Sequence, residues 1–144
     1  MKKTLGLTDV IAMMYGKNYE LSNYAYVKIS TVPHDAPYVV QPLKELFAAM
    51  LKIGRFNFFI PAKVIEYLTK AVKANDICEI RFGREYSPAM YLTVSMLNKR
   101  HERLTDAIFA AKKERVLAEI KKAIGPDEVW FTGKDTAEIR CWWD

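Results

Sequence analysis

The chain has 144 residues, 51% hydrophobic and 27% charged, with a formal net charge of +5. That length suits one globular domain, and that apolar fraction supplies a core, so an intrinsically disordered chain is excluded. Two cysteines exclude a disulfide framework and a cysteine-only zinc cage, and the composition excludes collagen-like, low-complexity and coiled-coil classes.

Lys2 and Lys3 precede apolar residues, as in a secretory leader. Thr8 and Asp9 break that stretch, and no small-residue cleavage site follows it. No run approaches the length of apolar chain that a membrane-spanning helix needs. The expectation is a soluble, cytoplasmic protein without membrane contact, with Cys78 and Cys141 as free, buried thiols.

Thr8 is placed to cap a short helix through Tyr15, with Gly16 as its stop. From Leu21 to Val32 the pattern alternates. Ala25, Val27, Ile29 and Thr31 face one way, and Tyr24, Tyr26, Lys28 and Ser30 the other, which predicts a strand. Pro33 to Pro37 reads as a loop. Pro42 suits a first helical position, and Leu43, Leu46, Phe47, Met50 and Leu51 recur at helical spacing up to Gly54. Phe56 to Ile60 is short and almost wholly apolar, as a buried central strand is. Pro61 opens another helix, with Val64, Ile65, Leu68, Ala71 and Val72 inward and an outer Glu66–Lys70 pair. Asn75-Asp76 ends it.

Ile77 to Gly83 predicts a strand. Met90 to Leu97 fits a strand pairing back on it, because Met90, Leu92, Val94 and Met96 alternate with Tyr91, Thr93 and Ser95. A helix capped by Ser87 is the alternative. A charged connection follows, and Thr105 caps the longest helix, running to Ile124 with Gly125-Pro126 as its stop. Val129–Thr132 and Thr136–Trp143 form a terminal hairpin. The sum is an α/β or α+β single domain spanning residues 1–144. A mixed β-sheet of about six strands carries three to four helices, and two βαβ crossovers imply some parallel pairing.

Catalytic patterns are missing. His34 and His101 have no metal-like spacing, and no phosphate-binding glycine loop or nucleophile elbow occurs. Asp127 followed by Glu138-Ile139-Arg140 resembles the acidic pattern of PD-(D/E)xK nucleases. Arginine at the lysine position is a poor general base, and a cross-strand ion pair explains the tripeptide more simply. The aromatic run Phe56–Ile60 resembles an RNA-recognition strand only superficially, since Phe56, Phe58 and Ile60 share one face and Phe59 takes the other. No catalytic residue, metal or cofactor is assigned, and the expectation leans away from an enzyme.

The positive signal is Lys99, Arg100, His101 and Arg103 placed just before the Thr105 cap. Helix starts favour acidic neighbours, so these cations suit a bound anion that would meet Lys99, Arg100, Arg103 and Thr105. Aromatic residues crowd the first quarter of the chain, and adjacent tryptophans nearly end it. Trp142, Tyr24 and Tyr26 are therefore candidate partner-binding residues. On the helical wheel Lys112, Arg115, Glu119 and Lys122 share the outer face of the long helix, which reads as a solvated face. Together these features suggest a non-enzymatic binding or regulatory protein docking on a nucleic acid or nucleoprotein partner. The alternatives are a nucleotide-like anion bound at the start of the long helix, or a protein-binding module that self-associates.

Overall fold

The computed structural model describes residues 24–30, 36–53, 58–85 and 87–143, with side chains described over 43–52, 58–82 and 89–143. Its elements are β1 (Tyr24–Ser30), α1 (Ala36–Ile53), α2 (Pro61–Lys73), β2 (Ile77–Glu85), β3 (Ser87–Val94), α3 (Asp106–Ile124), β4 (Glu128–Phe131) and β5 (Glu138–Trp142). The fold is α+β. One five-stranded sheet runs in the order β1-β2-β3-β5-β4, and every neighbouring pair is antiparallel. The helix expected from Thr8 to Tyr15 lies outside the described residues.

This corrects the expected mixed sheet in two places. Phe56–Ile60 is not a sheet strand over its described part. Phe58 is a turn residue, 64% exposed, while Phe59 is fully buried. α1 and α2 lie between β1 and β2 in the chain, and β2 pairs directly with β1, antiparallel instead of parallel. The second crossover survives in direction but not in pairing. β3 and β4 run the same way on either side of α3, and β5 inserts between them, antiparallel to both.

Local signals explain the helix ends. Thr105 has an extended backbone and its hydroxyl accepts from the Ile108 N–H. Gly125 closes α3 in the left-handed region, at φ 51°. Pro61 stands at the first position of α2, where its missing N–H costs nothing. Pro42 behaves differently. α1 starts at Ala36, so Pro42 lies inside the helix and deletes the hydrogen bond that would reach the Tyr38 carbonyl.

β3 is a strand, paired with β2 as the alternation from Met90 predicts. Its inward residues Met90, Leu92 and Val94 join Ile80, Phe82, Ile139 and Cys141 on one face. All three described helices contribute to that cluster, through Leu46, Val64, Leu68, Val116 and Ile120 among others. Phe59 fills the centre, stacked on Phe82 at 5.8 Å and edge-on to Trp143 at 5.0 Å. The Trp143 indole N–H donates to the Ile124 carbonyl at 3.3 Å, which ties the chain's last turn of helix to its last strand. No described helix is long and apolar enough to cross a membrane.

Both cysteines are free; Cys141 is fully buried, and Cys78, only half-buried, departs from the expected buried state. Burial pushes the Cys141 thiol up to about 12, against a small opposing pull from Arg140. Its folded value thus lies above its unfolded value. The associated stability is intact below pH 9 and is lost as pH rises toward 12. Between pH 8 and pH 10 this thiol alone should remove about 1.4 kcal/mol of unfolding free energy. Urea unfolding of the parent and of Cys141→Ala at both values measures it: the variant should lose less by about that amount, and equal losses would refute it.

Candidate functional site

α2 ends with Asn75 in the left-handed region, at φ 58°. The turn presents the Asn75 carbonyl and the Asp76 side chain toward α3. On the other side of the sheet's end, the chain leaves β3 at Ser95 and folds into a tight loop. Leu97 and Arg103 form an isolated antiparallel bridge, and Leu104 N–H returns to the Met96 carbonyl at 2.9 Å. Asn98 organises the tip, its Oδ1 accepting from the N–H groups of Arg100 at 2.8 Å and Glu102 at 3.0 Å.

Lys112, from α3, joins these two segments. Its ammonium donates to the carbonyls of Asn75 at 2.9 Å, Ser95 at 2.8 Å and Leu97 at 3.1 Å. An ammonium has three protons, so all three are used. Desolvation lowers its pKa from the usual lysine value, partly offset by the Asp76 carboxylate. Asn75 doubles the link, its side-chain amide donating to the Leu97 and Asn98 carbonyls at 3.1 and 2.9 Å. One turn further along α3, Arg115 holds both Asp76 oxygens, at 2.9 and 3.3 Å, and reaches Glu119 at 3.0 Å. These hydrogen bonds hold the guanidinium protonated well beyond its ordinary range. The outer face of α3 is therefore not simply solvated, as its wheel suggests. Lys112 and Arg115 are structural clamps.

The expected anion site is partly assembled. Lys99, Arg100, His101 and Arg103 are all exposed, on the loop that precedes α3. Only Lys99 of them borders the adjacent cavity, together with Lys112 and Arg115. The Thr105 hydroxyl is engaged with Ile108 N–H at 3.3 Å, and Asp106 supplies the acid in the first turn. The expected partner-binding residues lie elsewhere. Trp142 pairs with Ala89 at the start of β3, whereas the basic loop follows the strand's other end. Trp142 and the basic loop are thus separated by ~17 Å of strand, and they do not form one patch. Tyr24 and Tyr26 lie on β1, opposite Glu85 and Gly83; their side chains lie outside the described ones.

The sheet face away from the described helices carries a second constellation. Register aligns Lys28, Arg81, Tyr91, Arg140 and Trp130 in one row across all five strands. Arg81 sits over the Tyr91 ring at 4.1 Å. Arg140 lies 5.4 Å from the Trp130 ring and 5.8 Å from that of Trp142. Each arginine also meets a glutamate, Arg81 with Glu138 at 3.5 Å and Arg140 with Glu128 at 3.2 Å. These ion pairs account for the nuclease-like acids: Glu138 and Arg140 are used across strands, and Asp127 is exposed. Among the described residues no cluster of three His, Cys, Asp or Glu could hold a metal ion.

Lys112→Met should cost about 2–3 kcal/mol, since it deprives three carbonyls of a charged donor. Lys122→Met, on the same helix but exposed, should stay within about 0.5 kcal/mol of the parent. Denaturant midpoints compare the two, and similar costs would dismiss the clamp. No family model, curated protein or solved structure matches the chain.

Proposed function

We propose that this chain is a non-enzymatic binding protein that docks on a nucleic acid or a nucleoprotein complex. The observation that carries this reading is the row of arginines and aromatic rings on the sheet face the described helices leave uncovered. Trp130, 47% exposed, ends that row. Base stacking on such rings tolerates any sequence, and guanidinium groups beside them add cation–π attraction. Lys99, Arg100 and Arg103 would contact phosphates beyond the far end of β3, and Trp142, Tyr24 and Tyr26 would flank the near end. Thr105, whose oxygen accepts from the Ile108 N–H, would still have its hydroxyl proton to donate to a phosphate.

A second reading, a protein partner or a second copy of the chain, is favoured by the charge of the same face. Arg81 and Arg140 are each balanced by a glutamate. Tryptophan, tyrosine and arginine are also the residues that dominate protein interfaces.

Fluorescence anisotropy with labelled single-stranded DNA and RNA oligonucleotides separates the two. Trp130→Ala should weaken binding about tenfold, the worth of one stacked base. Reversing charge at Lys99, Arg100 and Arg103 together should lower affinity and flatten its salt dependence. Absence of binding at low salt, with a dimer appearing in sedimentation, would replace the nucleic-acid reading by the second one.

A further inference from the structure

A groove follows α3 on the helical layer of the molecule, away from the Trp130 face. Two cavities of about 590 and 520 Å³ share Ala74, Asp76 and Arg115 as lining residues and so adjoin at that point. From Ile108 to Ala123 the groove follows α3 for ~22 Å, about four helical turns. Its floor is kept low by small side chains, Ala71, Ala74, Ala111 and Ala123, and Ile108 stands 55% exposed at one end.

The charge along this groove is unbalanced. Five cations line it against two carboxylates, Asp76 and Glu119. Both carboxylates are held by Arg115, and Lys112 is committed to backbone carbonyls. Lys70 is paired outward with Glu66. Lys99 and Lys122, exposed toward opposite ends, carry the surplus. Tyr67 lines the inner wall. It is 8% exposed, and its hydroxyl has no hydrogen-bond partner among the described residues.

We propose that the groove binds an acidic amphipathic segment of a protein partner. Its apolar residues lie on Ala74, Ala111 and Ile108, and its carboxylates meet Lys99 and Lys122. The length matches a short helix laid in a groove. The apolar floor argues against a phosphate backbone, which gains nothing from alanine. This site is independent of the sheet-face reading and goes beyond it, because it uses none of the same residues except Lys99.

The probe is a fluorescein-labelled 15-residue peptide with leucines at i, i+3, i+4 and i+7 spacing and glutamate elsewhere. A control peptide carries lysine in place of glutamate, and a second lacks the leucines. With the full chain, the acidic amphipathic peptide should bind at least tenfold more tightly than either control. Lys99→Glu combined with Lys122→Glu should weaken it at least tenfold, as should Ile108→Glu, while Trp130→Ala leaves it unchanged. Amide shifts at Ala74 and Ala111 in the labelled protein should locate the contact, with thermal unfolding confirming that each variant folds. Equal binding of the lysine peptide would overturn the proposal. So would indifference to the paired charge reversal, shifts confined to the sheet face, no binding at all, or an oligonucleotide taking the groove in the peptide's place.

Discussion

The ammonium of Lys112 is the point on which the arrangement of this fold depends. Helix α3 buries only Val116, Ile120 and Ile124 completely, a narrow apolar strip for an element of its length. What fixes its height and rotation on the sheet is a polar anchor. Three backbone carbonyls from two segments far apart in sequence converge on one charge. A lysine suits this better than an arginine, because three roughly tetrahedral donors fit three carbonyls, whereas a planar fork fits a carboxylate. The next turn makes use of that distinction: Arg115 takes the two oxygens of Asp76. Because the acceptors of Lys112 are main-chain atoms, the anchor constrains the path of the backbone rather than the identity of side chains.

Much of the element order was legible in the sequence wherever the determinant was local. Thr105 and Gly125 bracket α3 because a cap hydroxyl and a left-handed glycine act within one turn. The alternation from Met90 identifies β3 as a strand because a strand's two faces repeat every second residue, but the strand ends at Val94 instead of Leu97 and leaves Met96 exposed. The hairpin pairings of β2 with β3 and of β4 with β5 were legible as well, but the pairing of strands joined through helices was not. Phe56–Ile60 has the composition of a central strand, yet Phe59 serves as a single buried plug against Phe82 and Trp143. Nothing in so short and largely apolar a run distinguishes those roles. The clamp was hidden for another reason. Lys112 and Arg115 point away from the apolar stripe, as solvent-facing residues also do. Only the Asn75-Asp76 turn and the loop after β3, brought against α3, give those outer side chains their partners. The one available hint was Asn75-Asp76, a turn of two polar residues that end up buried.

The sheet separates two kinds of surface. Toward the helices its residues are aliphatic and aromatic and are closed off by packing. On the other side, arginine and aromatic rings interleave with glutamates, so charge is nearly balanced while the rings stay partly accessible. The basic loop and the α3 groove lie beyond this layer, at the end of β3 and against the helices. A partner large enough to touch the Trp130 row and the Lys99 loop together would have to span the length of β3. Smaller ligands would engage one surface or the other. The Lys112 anchor bears on both surfaces, since it holds the loop that carries Lys99 and the turn that forms one wall of the groove.

Asn75 shows how narrowly such an arrangement restricts the sequences that can adopt it. The position asks for a backbone in the left-handed region and for a side-chain donor reaching two carbonyls across the gap. Glycine satisfies the first demand and fails the second. Glutamine and lysine supply donors but lack the short polar side chain that tolerates this backbone. Aspartate accepts the backbone and presents oxygen where hydrogen is needed. Asparagine meets both demands. Among diverged relatives of this chain, that single position should stay fixed while the exposed lysines around it drift, which makes it a better signature of the fold than any charged residue on its surface.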